Sequence, residues 1–248
     1  MNVFRDYSTF YDLLYKDKDY AAEVNYIHQL IGQYVPHAKS VLNLGCGTGN
    51  HDFLMAERGY ETVGIDFSGN MIDLANVKLK GSSNQEMLAF KTGDARSVRI
   101  DKKFDVVISL FHVMSYQVTN EDINHVFETA RFHLREKGIF IFDCWYGPGV
   151  LKDLPTVRHK MLENEVLRIH RIASPVMHID ENYVDVNYTI LVHNKKDLSF
   201  YEIEETHKMR YLFIPELKAF CSDNGFECER LNNNIFSNHW NALFVCRK

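Results

Sequence analysis

The sequence predicts an α/β protein: a doubly wound, mostly parallel sheet with an antiparallel sheet inserted into it. Three observations support this. Strand-like and helix-like segments alternate about every 20–25 residues between positions 40 and 144, the rhythm of repeated βαβ units. Residues 104–110 are nearly all apolar, as a strand covered on both faces must be. Beyond Gly149 the pattern changes to polar–apolar alternation, the period of antiparallel strands with one covered face.

Each element has its own signal. Tyr7, Phe10, Tyr11, Leu14 and Tyr15, then Tyr20, Val24, Ile27, Leu30 and Ile31, recur at helical steps until Pro36 ends the segment. Residues 40–44 read as a buried strand, followed by a glycine-rich turn and a helix to Arg58, with Gly59 as its stop. A second strand, 61–66, leads into a helix over 68–79 with Ser68 as N-cap. Strands follow at 89–93, 104–110 and 138–144, with a helix over 119–134 before the last. The alternating stretches 166–172, 183–192 and 200–211, separated in part by polar turns at 180–182 and 194–197, predict an antiparallel sheet of three or four strands. A helix over 215–224 has Pro in its first turn and Gly225 after it. Strands at 226–231 and 241–246 complete the pattern.

Composition excludes several classes. The chain has 248 residues, 46% hydrophobic and 25% charged, the balance of a folded globular protein. Its net charge of −5, from 28 basic and 33 acidic residues, lacks the basic footprint of a nucleic-acid partner. No apolar run approaches the ~20 residues of a membrane span, and the N-terminus shows no secretion signal. Five scattered cysteines without a C-x-x-C pair read as free thiols in a reducing cytoplasm. The 12 histidines show no ligand spacing, so no metal is expected. A monomer or homodimer acting on a small-molecule substrate is expected.

The chemistry concentrates in 44–49, Leu-Gly-Cys-Gly-Thr-Gly, between a strand and a helix. Small residues there let a ligand approach the backbone, and the helix start offers unpaired N–H groups. Asp66 stands at the tip of the second strand, where a carboxylate accepts hydrogen bonds from ribose hydroxyls. The pair points to an adenosine-type ligand. A dinucleotide fingerprint needs a third glycine at position 50, which is Asn50. That residue and the missing second nucleotide-binding half disfavour a nicotinamide-dependent dehydrogenase.

With glycines spaced G-x-G-x-G, residues 41–49 resemble the first motif of class I S-adenosylmethionine-dependent methyltransferases. Residues 64–68 with Met71 and Ala75, then 93–95, 104–107 and 111–116, are similar to the motifs that follow in that family. The resemblance implies a Rossmann-like, seven-stranded class I methyltransferase fold with S-adenosyl-L-methionine as cofactor. It places Gly45, Cys46, Gly47 and Gly49 around the methionyl and ribose portions and Asp66 on the ribose hydroxyls. Phe67 lies against the adenine, Asp94 accepts from its amino group with the Ala95 N–H alongside, Phe111 helps wall the pocket, and Met71 and Leu110 belong to the same cofactor-binding set. Position 43 departs from the pattern: the family usually has an acidic residue there, and Asn43 keeps an acceptor without the charge. Tyr7, Tyr11, Tyr15 and Tyr20 fit a lid, because aromatic faces attract a cationic sulfonium.

A second resemblance narrows the class. Residues 11–15 and 18–20, 143–149 and 205–210, with an insertion between the last two, are similar to nucleotide-linked amino-sugar N-methyltransferases. The residue that faces the amine there, often histidine, is Tyr116 here, with His112 as the nearest titratable neighbour. Trp145 and Tyr146 could stack on a sugar or base, Arg158 or Arg210 could meet a diphosphate, and His207 belongs to the same substrate group. The expected division is a helical lid over 1–38, a cofactor domain over 39–148 and 215–248, and an antiparallel subdomain on the acceptor side over 149–214. Two alternatives stay open: an O-methyltransferase of a sugar, glycan or other hydroxyl with His112 or His207 as base, and a non-catalytic cofactor-binding module.

Overall fold

A computed structural model of the chain describes residues 7–236 and 239–248. Residues 1–6 of the expected lid, and the side chain of Tyr7, lie outside the described residues.

The N-terminal segment is a one-turn 3-10 helix (Tyr7–Phe10), a single turn α1 (Tyr11–Leu14) and the longer α2 (Tyr20–Tyr34). The Asp19 carboxylate accepts from Ala22 N–H at the start of α2 and satisfies one orphan donor there. Then come β1 (Ser40–Leu44), α3 (Asn50–Glu57), β2 (Glu61–Asp66), α4 (Gly69–Leu79), β3 (Leu88–Thr92), β4 (Phe104–Ser109), α5 (Asn120–His133) and β5 (Leu134–Tyr146). The hydroxyls of Ser68 and Thr119 cap α4 and α5. The second half holds α6 (Gly147–Lys152), β6 (Arg158–Glu163), β7 (Leu167–His178), β8 (Tyr183–Asn194), β9 (Phe200–Leu212), α7 (Ile214–Asp223), β10 (Glu227–Leu231) and β11 (Asn241–Arg247).

The first five strands pair in parallel in the order β3-β2-β1-β4-β5. β11 then runs antiparallel beside β5, and β10 lies outside it. This is the doubly wound, seven-stranded sheet of class I methyltransferases. Strands β6 to β9 form an antiparallel sheet, and β9 joins the first sheet where Trp145 and Tyr146 pair with Tyr211 and Leu212. The strand order reverses between β1 and β4, which is where such sheets open a ligand crevice.

Side-chain alternation along each strand divides the core. Leu42, Leu44, Phe140 and Phe142 face a layer built on α5 and α7, with the Phe127 ring edge-on to both phenylalanines. Val41, Ile139 and Ile141 face the other layer, where α2 contributes Val24, Ile27 and Ile31. No described helix is long and apolar enough to cross a membrane.

Several boundaries move from their sequence expectations. β5 begins at Leu134, earlier than 138, because a register shift opposite Phe104 and Val106 and a left-handed Lys137 carry the strand through the polar stretch 135–137. α6 has no counterpart among the expected elements, although Pro148 suits a first helical turn. β6 is mostly exposed and carries little apolar signal. The expectation of five separate thiols holds only for Cys46 and Cys144. Cys221, Cys228 and Cys246 converge, since Cys228 and Cys246 sit opposite each other in the β10–β11 pairing.

Candidate active site

The turn after β1 is fixed first by backbone bonds. Gly45 N–H and Cys46 N–H both donate to Ile65 O of β2, at 2.7 and 2.9 Å. Gly45 has φ +84°, and a Cβ there would overlap the Val113 side chain, so this position requires glycine on both conformational and steric grounds. Asp66 ends β2 and locks the same turn: its carboxylate accepts from Gly47 N–H at 2.8 Å and Ser68 N–H at 2.9 Å. Burial pushes this carboxyl above its ordinary range, and the two N–H donors oppose that.

Gly45, Gly47, Asp66 and Ser68 line one side of a cavity of about 510 Å³ at the C-terminal rim of the parallel strands. Phe67, Met71, Asp94, Ala95, Leu110 and Phe111 continue that side. Asp94 is held by a bidentate contact from Arg96, which also reaches Asp122, and these bonds keep its carboxyl below the usual range. Tyr11 and Tyr15 pack with the Phe111 ring over the opening, with Tyr15 edge-on at 4.9 Å. The segment is clasped by Asp12, which accepts from Thr48 Oγ1 at 2.7 Å and pairs with Lys78.

The cavity also carries a buried polar chain. Tyr116 Oη lies 2.7 Å from His207 Nδ1, and His207 Nε2 lies 3.2 Å from Glu205 Oε2. Tyr188 closes edge-on over the imidazole. Burial holds the Tyr116 phenol well above its ordinary value and pulls His207 below its own. Both are therefore neutral near pH 7, with Tyr116 O–H donating to Nδ1 and Nε2–H donating to Glu205. Nearby, Phe111 and His112 both occupy the left-handed region, and His112 N–H donates to Asp143 Oδ1 at 3.0 Å. His112 Nδ1 is 2.8 Å from Asp143 Oδ2, an ion-pair distance off the line of a hydrogen bond.

The cavity thus gathers Tyr11, Gly45, Gly47, Asp66, Tyr116, His112, Trp145 and His207 from among the residues expected at the site. Cys46 and Tyr20 line a small side recess beside the glycine turn. Five others do not line the cavity. Asn43 is buried beneath the turn, where its Nδ2 donates to Asp52 Oδ2 at 2.8 Å. Gly49 starts α3 against the Phe90 ring. The Arg230 guanidinium covers Tyr146, and Arg158 lies over the Trp240 ring. Arg210 is buried and paired with Glu216 at 2.8 Å, so its charge is committed within the protein and not offered to a diphosphate. Tyr15, expected with the lid, lines the cavity too, whereas sequence reasoning missed Gln117, Tyr188, Trp240 and Asn241. Strand alternation through β8 would have pointed to Tyr188, and Asn241 is the register partner of Trp145.

Residues 41–138, which span the glycine turn, Asp66, Asp94 and the 111–116 stretch, match the family description "methyltransferase domain". The chain is an S-adenosylmethionine-dependent methyltransferase. The enzyme is 27% identical to a dTDP-3-amino-3,4,6-trideoxy-alpha-D-glucopyranose N,N-dimethyltransferase of Streptomyces venezuelae, over 75% of this chain and 76% of that one. It is 25% identical to the putative methyltransferase YqeM of Bacillus subtilis, over 92% and 88% of the two chains. The crystal structure of Streptomyces venezuelae DesVI shares its fold, with a TM-score of 0.83, 24% identity and 98% coverage of each chain. The cavity suits the cofactor on its own terms. A Cβ at Gly47 would meet only the Tyr11 ring, at 4.0 Å, so the backbone there is open to close approach. The Asp66 carboxylate behind it is already oriented by two N–H donors.

Proposed function

We propose that the enzyme methylates the amine of a nucleotide-linked amino sugar. The observation that carries this reading is the neutral Tyr116–His207–Glu205 chain, whose Tyr116 and His207 line the same cavity as Gly45, Gly47 and Asp66. Bound S-adenosylmethionine supplies an activated methyl group on a sulfonium. An amine attacks through a lone pair it already has, so the enzyme needs to align it more than to deprotonate it. A phenol held protonated beside a neutral imidazole suits this alignment, because Tyr116 Oη accepts an amine N–H and so orients the nitrogen. A hydroxyl acceptor would need a stronger base. The name of the Streptomyces venezuelae relative, a dTDP-amino-sugar N,N-dimethyltransferase, points the same way.

In this reading Asp66 accepts from the ribose hydroxyls, Gly45 and Gly47 let the ligand reach the backbone, and Asp94 with Ala95 N–H meets the adenine. Phe67, Met71, Leu110 and Phe111 wall the adenosine, while Tyr11 with Tyr15 and Tyr20 forms the lid. Trp145 lies on the acceptor side, joined by Tyr188, His207 and Met209 from residues 149–214. Labelled cofactor and a panel of nucleotide-linked amino sugars test the reading. Methyl transfer to an amine is expected, and transfer only to hydroxyl acceptors would overturn it. The His112–Asp143 pair favours that second outcome, in which His112 acts as base. Retained turnover in His112→Asn would count against it.

A further inference from the structure

Far along β5 and β11 from the cavity, three sulfurs meet. Cys221 lies on α7, Cys228 on β10 and Cys246 on β11, and their sulfurs all lie within 4.8 Å of one another. Cys221 and Cys246 are 2% and 0% exposed, whereas Cys228 is only partly buried. Cys228 faces both neighbours, with Cα separations of 6.2 Å to Cys221 and 4.0 Å to Cys246. Cys221 Sγ and Cys246 Sγ are themselves 3.7 Å apart. A sulfur atom makes one disulfide, so the two pairings are alternatives that share Cys228. The surroundings are apolar, with Phe220, Phe226 and Phe244 in the same core cluster. Among the described residues no histidine, aspartate or glutamate completes the group. A tetrahedral metal site takes four donors, and sulfur–sulfur chemistry needs only the three present.

We propose that Cys221, Cys228 and Cys246 form a thiol–disulfide exchange site with Cys228 as its shared, solvent-reached member. The oxidant is a small disulfide of the glutathione type. The Cys228 thiolate attacks one of its sulfurs, forming a mixed disulfide and releasing one thiolate. The thiolate of Cys221 or Cys246 then attacks Cys228 Sγ, closes the internal disulfide and releases the second thiolate. Two protein thiols are oxidised and one small disulfide is reduced to two thiols. The third cysteine can then attack Cys228 Sγ and displace its partner, moving the bond with no net redox change. One pairing ties α7 to β10; the other ties β10 to β11.

The test is thiol counting and peptide mapping of the folded enzyme after incubation with oxidised glutathione. Two of the five thiols should disappear, and both the 221–228 and 228–246 cross-linked peptides should be found. Cys228→Ser should slow thiol loss at least tenfold, because both remaining cysteines are buried from the oxidant, whereas Cys221→Ser and Cys246→Ser should each keep the other pairing. Five thiols persisting in the folded wild type, a single pairing, or an unchanged rate in Cys228→Ser would each overturn the proposal. So would stoichiometric zinc retained by the reduced enzyme after dialysis against a chelator. Mapping the unmutated protein keeps the test independent of whether any variant folds.

Discussion

Replacing Asp52 with asparagine should stabilise the enzyme in alkaline solution and leave it unchanged in acid. Asp52 is 0% exposed on α3, directly beneath the glycine turn. Burial pushes its carboxyl from an ordinary 3.8 up to about 7, against the opposing hydrogen bond from Asn43. Well below pH 3.8 the group is protonated in folded and unfolded chains alike and contributes nothing to the difference. As pH rises from 4 to 7 the unfolded chain releases the proton while the folded chain keeps it, so stability falls. Above 7 the full penalty is present: at about 1.4 kcal/mol per pH unit, the gap from 3.8 to about 7 is worth ~4 kcal/mol. Asparagine removes the titration. Urea denaturation of both proteins without cofactor, at pH 4 to 5 and at pH 8, reads the effect. Equal wild-type and variant differences at the two pH values would refute the reasoning.

Three further outcomes follow from the site. Asp66→Ala should weaken cofactor binding by ~1.5–3 kcal/mol, the range for hydrogen bonds to a charged group, and calorimetric titration measures it; unchanged affinity would remove Asp66 from the ribose role. Tyr116→Phe should lower kcat by about 10- to 100-fold with cofactor affinity unchanged, as expected when an aligning contact is lost, and steady-state kinetics with an amine acceptor separates the two. Gly45→Ala should cost ~1–2 kcal/mol for its left-handed backbone, more once the overlap with Val113 is added, seen as a lower melting temperature together with weaker cofactor binding.

The α/β frame was legible because its signals are local: apolar strands, Ser68 and Thr119 at helix starts, and glycines at turns where only they fit. The cofactor side was legible because the glycine turn and Asp66 are short-range features joined by one strand pairing. What stayed hidden depends on register and on packing. The contact of Asn43 with Asp52 crosses from β1 to α3 and appears only when the carboxyl turns inward. The three cysteines look scattered until β10 and β11 pair. Arg210 looked available to a ligand because sequence shows its charge and not Glu216 lying against it. Trp240 enters the cavity because the β5–β11 register sets the neighbouring Asn241 opposite Trp145.

That last pairing also sets an order of assembly. Among the described residues, the β11 edge of β5, over 139–145, pairs with 241–247 alone. During synthesis this apolar edge stays open while β6 to β9 emerge. Those strands pair with immediate neighbours and can close by themselves. An unpaired apolar edge is a template for wrong partners. The nascent enzyme is therefore most prone to aggregation after its inserted sheet is complete and before β11 arrives, and cofactor-side strands that look finished in sequence become secure only when that strand docks.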